Sequence, residues 1–103
     1  MMSVENPILS LKNLNDIETR IKDNTALSSE YEEIDLLVSS IGGTKNYLKD
    51  ALMNNGFRSF DEFKSQRSEA TDLNKVRTSR MLGTITGTIE FLKAYAIQNR
   101  LFS

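Results

Sequence analysis

Gly42-Gly43-Thr44-Lys45 carries the residue types of a phosphate-binding loop in an order that does not work. A nucleotide cradle needs spaced glycines and then Gly-Lys-Ser/Thr between a strand and a helix, so that backbone N–H groups and the lysine converge on the phosphates. Here the glycines adjoin and the threonine comes before the lysine. The carboxylates from Glu30 to Asp35 are oxygen ligands of the kind a hard cation takes, but around a helix they diverge, and they read as a solvated helix start. Asp61 and Glu62 form an adjacent acid pair. Neighbours on a helix point about 100° apart, so they suit the first turn of a helix better than general acid–base work. The chain has no cysteine and no histidine. Disulfides, zinc–thiolate sites and cysteine nucleophiles are therefore excluded, and the commonest general base and transition-metal ligand are missing. Neither GxGxxG nor GxSxG occurs, and nothing marks one serine as a nucleophile beside a lysine. The expectation is a protein that is not an enzyme and needs no cofactor or metal.

The elements that would position any site must fit in 103 residues, of which 39% are hydrophobic and 26% charged, with a net charge of −1. That suits one domain with a small core. The N-terminal MMSVENPILS lacks the basic and apolar regions of a secretory signal, and no apolar run approaches the ~20 residues of a membrane span. A cytoplasmic protein with no membrane association is the expectation, with secretion without a cleaved signal left open. Residues 1–43 carry three basic against eight acidic side chains, a net of −5, while residues 44–80 carry eight against five, a net of +3. The basic middle offers either a surface for an anion such as nucleic acid or an attraction between the two halves, within one chain or between copies. The residue usage, rich in Asn, Lys, Ile and Ser, fits an AT-rich bacterial or phage genome.

Hydrophobic spacing predicts helices throughout. Residues 1–7 read as a flexible lead in which Pro7 ends the lead or opens the first helix. Ile8, Leu11, Leu14, Ile17 and Ile21 recur at steps of three and four. Asn15 with Glu18 is a rival start. Ser29 with Glu32 forms a capping box, and Tyr31, Ile34, Leu37, Val38 and Ile41 make the next buried stripe, closed by Gly42-Gly43. Thr44 reads as the cap of a third helix from Lys45 to about Asn55, with Tyr47, Leu48, Ala51 and Leu52 inward. Gly56 stops it, and Phe57 folds back on Leu52. Ser59 with Glu62 starts a short helix burying Phe60 and Phe63, and Ser65 to Thr71 reads as a polar link or frayed end. Finally, Leu82, Ile85, Ile89, Leu92 and Ala96 follow the three-four rhythm of a helix seam. Gly83, Gly87 and Ala94 form a stripe of small residues on another face. Two interior glycines and the Thr-Ile content make this segment poor helix material, and a strand is its rival.

Residues 41–57 also resemble the helix-turn-helix layout: Ile41, Gly42, Thr44, the inward pairs Tyr47-Leu48 and Ala51-Leu52, then Gly56-Phe57. The resemblance implies that residues 44–55 enter a DNA groove. Lys45, Lys49 and Arg58 would then meet phosphates, Asn46 would reach a base edge, and Thr44 would open the helix. Against it stand Asp50 on the same face, a helix in place of a hairpin wing after Phe57, and the slightly negative charge.

The reading is an all-α protein, a small helical bundle of four to five helices with a long C-terminal helix. It is expected to act by binding a protein partner or itself, as a homo-oligomer joined through Leu82, Ile85, Ile89, Leu92 and Ala96 together with Gly83 and Gly87. The alternative is a DNA-binding regulator using Thr44, Lys45, Asn46, Lys49 and Arg58.

Overall fold

Every helix of this chain depends on one long rod. A computed structural model describes residues 8–69 and 71–103. The described residues form five helices and no strand: α1 Leu11–Lys22, α2 Ser28–Gly42, α3 Tyr47–Asn54, α4 Phe60–Ser68 and α5 Asp72–Gln98. The fold is the expected all-α bundle with a long C-terminal helix, and α5 touches all four of its companions. The expected flexible lead, residues 1–7 with Pro7, lies outside the described residues.

The segment of α5 least suited to a helix is one, because its inner face is fully enclosed. Met81, Ile85, Ile89, Leu92 and Ala96 are all 0% exposed. Burying such side chains contributes about 1.5–3 kcal/mol each. That outweighs the roughly 1 kcal/mol that each of Gly83 and Gly87 costs relative to alanine. The threonines are accommodated by bonding back to their own helix. The buried Thr78 and Thr88 hydroxyls donate to Asn74 O at 2.6 Å and Thr84 O at 2.9 Å, so neither is left unpaired in the interior. α5 begins ten residues before Leu82, at a Thr71 cap whose hydroxyl accepts from Asn74 N.

The stripes on the other helices meet this face, except that Tyr47, expected inward, is exposed because α3 begins with it at the turn. Leu14, Ile17 and Ile21 are buried on α1, Tyr31, Ile34, Leu37 and Val38 on α2, Leu48 and Leu52 on α3, and Phe60 and Phe63 on α4. The Tyr31 ring stacks on Phe60 at 5.2 Å, and Phe57 meets Phe63 edge-on at 5.4 Å. Burial pushes the Tyr31 hydroxyl above its ordinary pKa. The charge of Arg67 pulls it the other way without closing a hydrogen bond of good geometry.

Several helix starts differ from expectation. α1 opens at Ser10, whose Oγ accepts from Asn13 N at 3.1 Å, and not at Asn15. α2 opens two residues early, with Leu27 at the cap position and Ser28 as its first residue. Its start is held by the Glu30 carboxylate, which accepts from Leu27 N at 3.1 Å and pairs with Arg20, so the Ser29–Glu32 box does not form. α4 includes Ser65 to Ser68, leaving only a short link. α3 begins at Tyr47 rather than Lys45, because Asn46 is left-handed at φ 58°, a conformation asparagine tolerates. Thr44 does not cap it. The buried Asp35 carboxylate, reaching from α2, accepts from Leu48 N at 2.8 Å. Gly56, at φ 86°, ends α3 as expected, and Phe57 N donates to Leu52 O at 3.0 Å.

Two consequences can be measured by urea denaturation. Ile89→Ala should lower stability by about 2–5 kcal/mol, and Ile89→Lys should prevent folding, whereas Lys45→Ala should change stability by less than about 0.5 kcal/mol. Asp35→Ala should cost about 1–3 kcal/mol by stranding the buried Leu48 N–H, with faster amide exchange at Leu48.

Candidate functional site

The seam expected to join copies is used inside one chain. Ile85, Ile89, Leu92 and Ala96 are enclosed, and Leu82 lies half-buried against the same core. They hold the bundle together and are not available to a partner. Gly83 and Gly87 lie on the opposite, exposed face of α5. A Cβ built on either glycine meets nothing within 4 Å, and neither has a left-handed backbone. Among the described residues nothing therefore calls for glycine at these two positions.

The exposed face continues well beyond the glycines. Leu73 is 73% exposed, Val76 58% and Ile97 51%, and Ala94 is exposed as well. Together with Arg80 and Glu90 they step along α5 by three and four, which places them on one stripe directly opposite the buried one. The spacing of the sequence shows the small centre of this stripe, Gly83, Gly87 and Ala94, but not its extension, because Leu82 reads as the start of the pattern and Ser65–Thr71 as a link. The Thr71 cap followed by Leu73 and Val76 was the available signal.

Beside the glycines lies an open groove of about 380 Å³ between α5 and the α2–α3 turn. Its apolar walls are Val38, Tyr47 and Phe91, and Gly83 and Gly87 line its α5 side. The Thr84 and Thr88 hydroxyls in it are taken up by Arg80 O and Thr84 O, so the α5 side makes little polar demand on an occupant.

The residues of the DNA reading are exposed and spread over the turn before α3, α3 itself and the loop that follows it. Thr44, Lys45 and Asn46 sit in the turn before α3, and α3 itself has only eight residues. Lys49 lies 4.0 Å from Glu32 and Arg58 3.7 Å from Glu62, so two of the three cations already face an acid of the same chain. Among the described residues no group of three or more His, Cys, Asp or Glu converges, and no helix is long and apolar enough to cross a membrane.

Charge also ties the flanks of the bundle. Lys93 reaches from α5 to Glu18 on α1 at 2.7 Å, and Arg20 pairs with Glu30 between α1 and α2. Arg20, assisted by the Leu27 N–H, holds the Glu30 carboxyl below its ordinary range against partial burial. Burial pushes Glu18 up, but bonding to Lys93 and Glu90 outweighs it, so its pKa is lowered as well.

These features define a five-helix bundle with one long helix whose outer face is unpartnered. No family model matches the chain, and neither a curated protein nor a solved structure is similar to it.

Both glutamates have depressed folded-state values, so their stabilisation is present above the ordinary value of 4.5 and is lost as pH falls through the lower folded values. Tm measured against pH should therefore fall on the acid side of 4.5. Glu18→Gln and Glu30→Gln should each flatten that limb while lowering Tm at neutral pH.

Proposed function

We propose that this chain is a small non-enzymatic interaction protein of the cytoplasm, acting as an accessory, assembly, inhibitor or adaptor subunit. It offers the outer face of α5 to another helix. The observation that carries this reading is the pair Gly83 and Gly87, one turn apart on an exposed helix face, with empty space where each Cβ would stand. A mid-helix glycine costs stability, and a left-handed turn or a close approach normally accounts for its presence. Here neither occurs among the described residues, which supports a close approach by a second molecule. The apolar walls beside the glycines and the exposed Leu73, Val76 and Ile97 supply area that gains by leaving water.

The reading separates folding from binding. Gly83→Ala and Gly87→Ala should each raise the stability of the isolated chain by roughly 0.5–1 kcal/mol, read by urea denaturation, because the new methyl meets nothing. Gly87→Leu should leave the fold intact but block close approach. Native mass of the tagged chain recovered from its source cells should exceed that of the 11.7 kDa chain for wild type and collapse to it for Gly87→Leu. Equal masses for the two proteins would overturn the reading.

A further inference from the structure

The outer stripe of α5 is self-complementary when turned end for end. Gly83 and Gly87 flank Ile85, three residues beyond them stand Arg80 and Glu90, then Val76 and Ala94, and at the ends Leu73 and Ile97. We infer that the partner is a second copy of this chain, its α5 laid antiparallel on the first with the two-fold axis beside Ile85. This inference rests on the interaction reading above.

In that register every position meets its complement. Gly83 faces Gly87 of the second copy at the centre, where the backbones can come close. Arg80 faces Glu90 on either side. The branched Val76 meets the small Ala94, and Leu73 meets Ile97 at the ends of a contact about 36 Å long. The alternating steps of three and four are those of a helix-on-helix seam, and the charges along it set the direction. Arg80 makes no ion pair within the chain among the described residues, and Glu90, itself mostly exposed, shares at 3.3 Å the largely buried Lys93 that Glu18 holds at 2.7 Å. A parallel pairing would set Arg80 against Arg80 and Glu90 against Glu90, and a slipped antiparallel register would leave both charges facing apolar or small residues. The charges therefore select one alignment, the best-attested use of a charged residue in a helix seam. A pattern that is its own complement under reversal is what a two-fold interface requires, since each copy presents the same patch. An unrelated partner imposes no such mirroring.

The test is sedimentation of the purified full-length chain across a concentration series. Wild type should be a dimer. Arg80→Glu gives a face with acids at both positions, and Glu90→Arg gives one with bases at both. Each alone should weaken dimerisation by at least about 100-fold. Both side chains are exposed, so circular dichroism should show each variant folded. An equimolar mixture of the two single variants should pair, because every contact is then acid against base, and the double variant should dimerise like wild type. A wild type that stays monomeric, single swaps that leave the dimer unchanged, or a mixture that fails to pair would each overturn the inference. A monomeric wild type whose cellular complex is still lost in Gly87→Leu would reject self-pairing while leaving the interaction reading standing.

Discussion

Enclosure of one face of α5 is the constraint on which the molecule rests. Isolated helices shorter than about 12–15 residues are marginal in water. α3 and α4, at eight and nine residues, form only because α5 and α2 give their apolar sides somewhere to go. The same enclosure makes a helix of the Gly-Thr-Ile-Thr-Gly stretch, whose local preference is weak.

Short helices also have proportionally many unsatisfied ends, and here neighbouring elements supply the partners. Asp35 accepts from the start of α3, while Arg77 donates to Gly56 O at 3.1 Å beyond its end and lies over the Phe57 ring at 4.8 Å. Arg67, on α4, donates to Lys22 O at the end of α1. The start of α1 receives two carbonyls from the C-terminal tail, Leu101 O at 2.7 Å from Leu11 N and Phe102 O at 3.1 Å from Lys12 N. The helices thus hold one another in register by their ends as well as by their sides. Gly56 leaves room for this arginine, since a Cβ there would lie 2.6 Å from the end of the Arg77 guanidinium.

The two faces of α5 do different work. The inner face carries large aliphatic side chains and holds the bundle together. The outer face is small at its centre, apolar at its ends and charged in between. It is also where the chain accepts the local cost of two glycines without any return in packing among the described residues. The acidic first half and basic middle, by contrast, find each other in part within the molecule, as in Lys49 with Glu32. This leaves less of the basic middle free for an outside anion.

Helical class, the buried stripes, and the stops at Gly43 and Gly56 were legible in the sequence, because they depend on side-chain periodicity and backbone freedom within a few residues. The stripe of Ile85, Ile89, Leu92 and Ala96 was legible too, but its destination was not. A three-four seam looks the same whether its partner is the next helix of the same chain or another copy. Asp35 looked like one more solvated carboxylate until the fold brought Leu48 N to it from thirteen residues away. Thr44 and Ser29 carried good capping chemistry and were passed over, because Asp35 reaches the start of α3 from α2, and Glu30, the neighbour of Ser29, holds the start of α2. Periodicity determined which residues turn inward. Only the packing of the four short helices against α5 decided which face that packing occupies, and so which face remains for a partner.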